Sequence, residues 1–406
     1  AARAARHCGL AVVAANAAPV LTARNPLAAV DEDATSPAGT LVSVLIAGHV
    51  GDADSGAKAG IAVTAVDNAN GGWQYSTDGG SSWFALAGVG ETSARLLDAA
   101  SLVRFVPNPD WNGSVAAGLS FRAWDQTGGG LVGALADASA NGGTTAFSAA
   151  LAQAGIVVNP VNDAPQLIQP LLDQSATQGV AFIHAVPPGS FGDIDAGDVL
   201  SHSATLASGA TLPSWLAFDA ATMTFSGTPA NADVGTLVVR VKATDAAGAS
   251  AFDDFVLTVA NVNDAPVLLS PVAGQTATQD AAFSFTLPPA TFADVDAGDV
   301  LSYSATLSSG AALPSWLRFD AATRTFSGTA ANADVGVLSL RVIATDLAGA
   351  SASADFGLAV IDVNDPPMLA QPLADQQAHQ DAAFAYGVPA SSFVDVDAGD
   401  VLSYSA

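Results

Sequence analysis

Two short motifs recur along this chain at a fixed interval. The acidic motif F-x-D-(I/V)-D-A-G-D occurs at Phe191–Asp198, Phe292–Asp299 and Phe393–Asp400. The motif V-N-D-(A/P)-P occurs at Val161–Pro165, Val262–Pro266 and Val363–Pro367. In both series each copy begins 101 residues after the copy before it. A fixed period of this length predicts tandem copies of one domain, each large enough to enclose its own hydrophobic core.

The period and the flanking sequence suggest how the chain is divided. We predict a tail or linker at 1–16, a longer and divergent domain at 17–161, repeats at 162–262 and 263–363, and a truncated repeat at 364–406. The stretch N-A-A-P-V at Asn16–Val20 resembles a worn copy of the V-N-D motif and marks the start of the first domain. Because the chain stops within a repeat, at Ala406, we expect it to be a fragment of a longer protein.

Hydrophobic and polar residues alternate throughout the third copy. Phe283, Phe285 and Leu287 alternate with Ser284 and Thr286. The same period of two occurs at three further places, 301–307, 338–344 and 356–360, and no segment shows a sustained helical period. This pattern predicts half-buried antiparallel strands. About seven such strands per repeat favour an all-β fold of immunoglobulin-like β-sandwiches, and we expect consecutive sandwiches to form an elongated array.

The chain is strongly acidic, although it carries few charges overall. The formal net charge is −26, while only 12% of the residues are charged. The chain has only 12 Lys and Arg residues, too few to neutralise the phosphates of a nucleic acid, so a nucleic-acid partner is not expected. Cys8 is the single cysteine, so no intrachain disulfide can form, and a secreted domain would need another means of stabilisation, such as a bound metal. The apolar segment Gly9–Ala18 is too short to span a bilayer.

Strand direction predicts where the acidic loops meet. If seven strands, A to G, alternate in direction, the B–C and F–G loops share one pole, and the E–F loop and the end of strand G share the other. In the third copy the first pole carries Asp294, Asp296 and Asp346. The opposite pole carries Asn332 and Asp334, next to the linker residues Asp362, Asn364 and Asp365. The scheme leaves four aspartates on the solvated surface, namely Asp98, Asp173, Asp253 and Asp254.

Carboxylates brought this close repel one another unless a cation compensates. A set of Asp, Asn and Glu without Cys or His favours a hard cation over Zn²⁺. Mg²⁺ would take fewer protein ligands in a stricter octahedral geometry, whereas Ca²⁺ accepts six to eight oxygens from irregular loops. Asp-x-Asp and Asn-Asp-x-Pro also form simple turns, and for any single motif that alternative stands beside metal binding. The recurrence of the whole set favours Ca²⁺.

These motifs resemble those of a known family. D-x-D, A-T-D-x-x-G and x-x-N-D-x-P are similar to the calcium motifs of cadherin repeats. The segment L-P-S-W-L-x-F-D-A-A-T-x-T-F-S-G-T resembles the dystroglycan-type cadherin-like domain, also described as the "putative immunoglobulin domain" of bacterial surface proteins. The resemblance covers 162–406 strongly. It covers 17–161 more loosely, through Glu32, Asp52-Ala53-Asp54, the segment F-V-P-N-P-D-W-N-G and Ala123-Trp124-Asp125.

The resemblance implies Ca²⁺ at each junction between consecutive domains. For the first junction, after 17–161, it implies the ligands Glu32, Asn108, Asp110, Asn162, Asp163, Asp193, Asp195 and Asp245. For the second, after 162–262, it implies Asn231, Asp233, Asn261, Asn263, Asp264, Asp294, Asp296 and Asp346. For the third, after 263–363, it implies Asp280, Asn332, Asp334, Asp362, Asn364, Asp365, Asp395 and Asp397.

The chain departs from the cadherin pattern at several ligand positions. The strand-A glutamate of that pattern is replaced by Gln178 and Gln279, and Pro160 stands where the third linker has Asp362. Each change removes a negative ligand, so we expect weak sites with a Kd of about 10⁻⁴–10⁻³ M. Asp52 and Asp54 would need a preceding domain to complete a site of their own.

We predict a calcium-binding structural or adhesive repeat region of a large secreted or cell-surface protein. Its partners would be calcium ions and an unidentified surface protein or glycan, and it would reach a membrane only through segments outside this chain. Paired carboxylates occur in glycosidases, but here they recur in the linker loops. No histidine is accompanied by a Ser or Cys nucleophile motif. We therefore predict no catalytic activity.

The alternative prediction is a carbohydrate-binding accessory module of a secreted glycosidase. Trp73, Tyr75 and Trp83 in the first domain could form a surface on which sugar rings stack. Trp215 and Trp316, each within L-P-S-W-L, could do the same, but the flanking leucines favour a place in the core.

Overall fold

The computed structural model describes residues 15–406. Most of the predicted tail, including Cys8, lies outside the described residues. The chain divides into two compact units. The first contains residues up to Pro170, Pro188–His202 and Lys242–Asp253, and the second contains Leu171–Pro187, Ser203–Val241 and Asp254–Ala406. Within residues 15–406 no helix is both long and apolar enough to cross a membrane. The domain boundaries derived from the period stay predictions.

Residues 15–161 form short β-strands and one helical turn. In chain order they are β1 (Val20–Leu21), β2 (Val30–Asp31), β3 (Thr40–Leu41), α1 (Val42–Leu45), β4 (Val50–Gly51), β5 (Gly60–Val66), β6 (Gly71–Ser76), β7 (Phe84–Ala85), β8 (Ala94–Asp98), β9 (Leu102–Pro107), β10 (Gly113–Trp124), β11 (Leu135–Ala136) and β12 (Ala152–Asn159).

The remaining strands follow the 101-residue period. Residues 162–262 contain β13 (Gln166–Leu167), β14 (Gln174–Thr177), β15 (Phe182–Ala185), β16 (Phe191–Gly192), β17 (Ser201–Leu206), β18 (Leu216–Asp219), β19 (Thr224–Gly227), β20 (Gly235–Thr244) and β21 (Ser250–Ala260). Residues 263–406 contain β22 (Val267–Leu268), β23 (Gln275–Thr278), β24 (Ala282–Thr286), β25 (Phe292–Ala293), β26 (Ser302–Leu307), β27 (Leu317–Asp320), β28 (Thr325–Thr329), β29 (Gly336–Thr345), β30 (Ser351–Ile361), β31 (Met368–Leu369) and β32 (Phe393–Val394). Asn231–Asp233 and Asn332–Asp334 each form a single turn of 3₁₀ helix.

Residues 275–361 show how the alternating sequence builds a sandwich. One sheet has the strand order β23-β30-β29-β26 and the other has the order β24-β28-β27. Phe326 from the second sheet and Leu340 and Leu358 from the first are fully buried in one core cluster. Phe283 and Phe285 pack against this cluster, while Ser284 between them is exposed. The predicted strands and the all-β fold are therefore confirmed.

The first and last strands of each sandwich pair in parallel, which differs from the all-antiparallel prediction. β23 pairs in parallel with β30, and β14 pairs in the same way with β21. In the first domain β2 pairs in parallel with β12. The reason is parity, because strands A and G of a seven-strand alternation point the same way and can only pair in parallel when adjacent. This pairing places strand A beside the last four residues of strand G, with Gln275 opposite Leu358 and Thr278 opposite Ile361, and brings the end of strand A to the exit into the linker.

The first domain has a larger sandwich. Its sheets have the orders β11-β8-β5-β10-β12-β2 and β3-β9-β6-β7. Trp73 is 1% exposed and its ring lies 5.2 Å from that of Phe105 in the core. Leu96, Trp124 and Phe147 belong to a second, smaller core cluster. This additional cluster accounts for part of the extra length of the domain.

The tryptophans of the L-P-S-W-L segments belong to the cores, as predicted. Trp316 is partly buried and packs against the core of the third copy. Trp215 meets Phe182 edge to face, with ring centroids 6.5 Å apart.

The aspartates predicted to lie on the solvated surface have partners within the protein. Asp254 accepts two hydrogen bonds of 2.8 Å from the guanidinium of Arg240 on the neighbouring strand. Asp98 accepts a hydrogen bond from the backbone of Ser101 at 2.9 Å, and Asp173 accepts one from the backbone of Val256 at 2.8 Å. Asp173 is exposed, as predicted, whereas Asp98 and Asp254 are half-buried, so the prediction was wrong for these two residues.

Candidate metal centres at the predicted junctions

Each D-x-D-A-G-D loop gathers its own carboxylates. The first aspartate accepts a hydrogen bond from the backbone N–H of the second, at 3.0 Å in Asp193–Asp195 and at 2.9 Å in Asp294–Asp296. The following glycine has a positive φ, 97° at Gly298, and turns the chain back so that the third aspartate rejoins the loop. Carboxylate oxygens then lie within 4.8 Å of one another in the groups Asp193–Asp195–Asp198, Asp294–Asp299–Asp346 and Asp395–Asp397–Asp400.

Asp198, Asp299 and Asp400 were not among the predicted ligands, although the signal was in the sequence. The recurring motif contains a third aspartate after the glycine, whereas the predicted ligand set stopped at D-x-D. The contribution of the third carboxylate depends on the tight turn at the glycine, which two-residue spacing alone does not reveal.

The linker is held by the loop that follows it. The backbone N–H of Asp163 donates to Asp195 Oδ2 at 2.8 Å, and that of Asp264 donates to Asp296 Oδ2 at 2.7 Å. The bond from Asp365 to Asp397 Oδ2 is 2.6 Å long. The linker asparagines also donate to the A-T-D aspartates, from Asn162 to Asp245 at 2.9 Å and from Asn263 to Asp346 at 3.0 Å.

At the first junction the domain that precedes the linker also contributes carboxylates. Glu32 is 3% exposed and its Oε1 accepts the backbone N–H of Val161 at 2.6 Å. One oxygen each of Glu32, Asp163 and Asp195 lie within 4.8 Å of one another, as do oxygens of Asp33, Asp110 and Asp163. Asp33 was missed by the sequence analysis. Asn108, by contrast, bonds to the carbonyl of Ala69 at 3.4 Å.

At the second and third junctions an asparagine bonds directly to the acidic loop, which Asn108 does not do at the first. Asn231 Nδ2 donates to Asp296 Oδ1 at 2.7 Å, and Asn332 Nδ2 donates to Asp397 Oδ1 at 2.8 Å. Asp233 and Asp334 instead accept hydrogen bonds from the backbone of their own 3₁₀ turns. Asn364 bonds to the carbonyl of its neighbour in the linker. The other predicted ligands in this part of the chain are exposed, namely Asn261, Asp280 and Asp362.

The start of the first domain repeats the linker arrangement. The backbone N–H of Ala17 donates to Asp54 Oδ2 at 2.8 Å, and Asn16 Nδ2 donates to Asp125 Oδ2 at 2.9 Å. These are the bonds that Asp163 and Asn162 make in the first linker. N-A-A-P-V therefore has the geometry of a V-N-D linker in which Ala17 replaces the aspartate.

All residues of the first junction belong to the first compact unit, and those of the second and third belong to the second unit. Within these groups several buried oxygens have no hydrogen-bond donor, namely Oδ2 of Asp163, Asp193, Asp198, Asp294 and Asp299. A buried carboxylate oxygen without a donor is costly, because it has lost its water and gained no partner. Such oxygens are suited to a cation.

The electrostatics of the loops divide the carboxylates into two kinds. Burial, followed by repulsion from neighbouring carboxylates, raises the pKa of Asp163, Asp198 and Asp299. Hydrogen bonds, the strongest from a linker asparagine, lower the pKa of Asp245 and Asp346. The first kind needs added positive charge, and the second already has its donors.

The donor set fits a hard cation. It consists of carboxylate oxygens on irregular loops, which is the chemistry that Ca²⁺ prefers over Zn²⁺. Three carboxylates within 4.8 Å of one another, of which Asp346 at the second junction comes from the A-T-D segment, supply several oxygens without forcing an octahedral arrangement. The ligand assignments stay predictions.

The pH dependence of stability provides a test of the repulsion. The raised pKa of Asp198 means that the folded chain binds this proton more tightly than the unfolded chain, so stability falls as pH rises above 3.8 towards the folded pKa. In EDTA, Asp198→Asn is therefore expected to raise the melting temperature above that of the unmodified chain at pH 7. The rise should be smaller at pH 3, where Asp198 is already protonated. Asp219 is the control, because turn hydrogen bonds lower its pKa and Asp219→Asn should lower stability at pH 7. Equal shifts for both variants in EDTA melting curves would contradict the assignment.

The residues proposed for sugar stacking are mostly inaccessible. Trp73 is 1% exposed and Tyr75 is 8% exposed, so neither ring offers a face to a ligand. Trp83 is half-buried beneath the guanidinium of Arg104, which lies 4.0 Å from its ring centroid. The stacking surface suggested by the sequence is therefore absent from these three residues.

Comparisons with known proteins agree with this architecture. Residues 164–260 and 265–361 match the family described as "Putative Ig domain". The fold is similar to that of the mouse cadherin-23 fragment EC22-24, at 16% identity and a TM-score of 0.53, covering 86% of this chain and 100% of the fragment. No curated protein sequence matches the chain.

Two longer structures are also similar in part. The protocadherin gamma B4 extracellular domain is matched at 16% identity with a TM-score of 0.48, over 88% of this chain and 51% of that one. An endo-fucoidan hydrolase of glycoside hydrolase family 107 is matched at 19% identity with a TM-score of 0.24, over 85% of this chain and 44% of the hydrolase. Scores this low carry no argument about function. The chain thus has the fold of tandem immunoglobulin- and cadherin-like domains, and residues 164–260 and 265–361 match the "Putative Ig domain" family in two tandem copies.

Proposed function

We propose that this chain is a calcium-binding structural region of a secreted or cell-surface protein, in which Ca²⁺ at the junctions orders the linkers between tandem domains. The observation that carries the proposal is the set of buried carboxylate oxygens without donors at the first and second junctions. They recur at equivalent positions, since Asp198 and Asp299 are 101 residues apart, as are Asp193 and Asp294. If these loops were only turns, their buried oxygens without donors would not be expected to recur at equivalent positions.

Different residues of each junction would bind the ion and fix the linker. The D-x-D-A-G-D carboxylates, with Asp163 at the first junction, would hold the ion. Asn162, Asp195 and Asp245 join the linker to the loops of the following domain through hydrogen bonds. Bound Ca²⁺ would supply positive charge that offsets repulsion among the carboxylates. Removing that repulsion favours one linker conformation.

The proposal includes an adhesive or spacer role rather than catalysis. Tandem immunoglobulin- and cadherin-like domains suit a region that projects and positions other parts of a protein outside the cell. The millimolar Ca²⁺ of extracellular fluid matches the weak affinity expected of such sites. The adhesive partner would be a surface protein or a glycan.

Calcium is expected to raise the thermal stability of the chain. With a Kd of about 10⁻⁴–10⁻³ M, about 2 mM Ca²⁺ contributes about 0.7–1.8 kcal/mol for each ion bound. This corresponds to a rise in Tm of several degrees for a domain of about 100 residues. Melting curves in Ca²⁺ and in EDTA measure the effect, and NaCl at matched ionic strength controls for simple screening. Identical curves in all three buffers would rule out the proposed function.

A further inference from the structure

The three junctions differ at one position in a way that changes its chemistry. The residue at the end of the first strand of the sandwich is Glu32 before the first linker, Gln178 before the second and Gln279 before the third. Each accepts the backbone N–H of the second residue after strand G through its side-chain oxygen. The bond lengths are 2.6 Å to Glu32, 3.2 Å to Gln178 and 3.2 Å to Gln279.

The two glutamines make a second bond that a glutamate cannot make. Gln178 Nε2 donates to Asp264 Oδ2 at 2.8 Å, and Gln279 Nε2 donates to Asp365 Oδ2 at 2.8 Å. Each glutamine thus spans its linker, with its oxygen on one backbone N–H and its nitrogen on the linker carboxylate. The equivalent pair at the first junction is Glu32 and Asp163, two carboxylates that have oxygens within 4.8 Å of each other.

A second amide side chain also distinguishes the later junctions from the first. Asn231 and Asn332 donate directly to the loop aspartates Asp296 and Asp397. At the first junction this side contributes Asp33 and Asp110, whose oxygens lie within 4.8 Å of an oxygen of Asp163. The linker carboxylate therefore meets a glutamine N–H donor at each later junction. At the first junction Asp163 lies beside carboxylates, and the amide on that side, Asn112, donates to Glu32 Oε2 at 2.9 Å and not to Asp163.

We propose that Gln178 and Gln279 are positioning residues that fasten the second and third linkers without a cation, whereas the first linker depends on one. This rests on the proposed function for the first junction only. The physical reason is that an amide hydrogen offsets the charge of Asp264 or Asp365, while Glu32 adds a charge beside Asp163. An ion can still enter the later junctions once the amides turn their oxygens towards it. The loss of those hydrogen bonds makes binding there weaker.

Hydrogen exchange of the linker amides in the full chain tests this inference. Peptides covering Val161–Asp163 and Val262–Asp264 are followed by mass spectrometry in Ca²⁺ and in EDTA. Chelation is expected to speed exchange about tenfold in the first linker and less than about twofold in the second. In EDTA, Gln178→Glu should speed exchange of the second linker about tenfold, and Glu32→Gln should slow that of the first.

Gln174→Glu is the matched control, because it adds the same charge on the same strand but its side chain bonds only to the carbonyl of Leu172. It should leave the second linker unchanged. Equal sensitivity of both linkers to chelation, or no effect of Gln178→Glu in EDTA, would overturn the inference. If a titration detects no Ca²⁺ binding but the variants still behave as expected in EDTA, the proposed function fails and the role of the glutamines stands.

Discussion

Gly328→Ala is expected to destabilise the third copy by about 3 kcal/mol or more, the largest effect of any single substitution considered for this chain. A Cβ at this position would lie 1.9 Å from the backbone oxygen of Trp316, where no atom fits. Neither the backbone of Gly328 nor that of Trp316 can move away easily. Gly328 lies on β28, the central strand of its sheet, where it pairs with Phe283 on one side and Leu317 on the other. The Trp316 side chain is packed against the core.

The matched control is Gly357→Ala on β30 of the same sandwich. Gly357 is exposed, and a Cβ there would meet nothing within 4 Å. This substitution should change stability by no more than about 0.5 kcal/mol. Hydrogen exchange of the β27 and β28 amides isolates the third copy, and the equivalent strands of the second copy serve as an internal reference. If both alanine variants exchange alike, the close approach to Trp316 is not a constraint on the fold.

The glycine illustrates what the sequence could and could not predict. Alternation at Phe283–Leu287 was enough to assign a strand and its buried face, because that pattern is local. The F-S-G-T segment was recognised as part of a family motif, but the reason for its glycine was not. The carbonyl of Trp316 approaches Gly328 only after β27 and β28 pair, and no sequence spacing expresses that distance.

The candidate metal centres show the same limit. The D-x-D loops and the linker asparagines could be predicted from repeated spacing, because each lies at a fixed place in the repeat, and Glu32 from the resemblance to cadherin repeats. Their role as ligands stays a prediction. Gln178 was interpreted only as a lost ligand, since sequence shows which group is missing but not which hydrogen bond replaces it. Its contact with Asp264 joins residues 86 positions apart and depends on the parallel pairing of β14 with β21.

Asp296→Ala is expected to release the second linker from the loop that follows it. The carboxylate is 6% exposed and accepts hydrogen bonds from the backbone of Asp264 and from Asn231, each at 2.7 Å. Hydrogen bonds to a charged acceptor contribute about 1.5–3 kcal/mol each, so losing both leaves two donors without their partner. We expect a loss of about 2 kcal/mol in the free energy of local opening, or an exchange rate about thirtyfold higher for the linker amides.

Asp299→Ala distinguishes the effect of the two hydrogen bonds of Asp296 from the effect of removing one negative charge. Both variants remove one carboxylate from the same loop, but Asp299 is the residue whose pKa is raised by burial and by Asp294 and its neighbours, and one of its oxygens has no donor. Its removal relieves repulsion and keeps both bonds of Asp296. In EDTA the linker of Asp299→Ala should therefore exchange no faster than that of the unmodified chain, while that of Asp296→Ala exchanges much faster. In Ca²⁺ both variants should lose stabilisation, because each lacks an oxygen ligand. A linker that opens equally in the two variants would mean that the net charge of the loop, and not the two hydrogen bonds of Asp296, holds the connection.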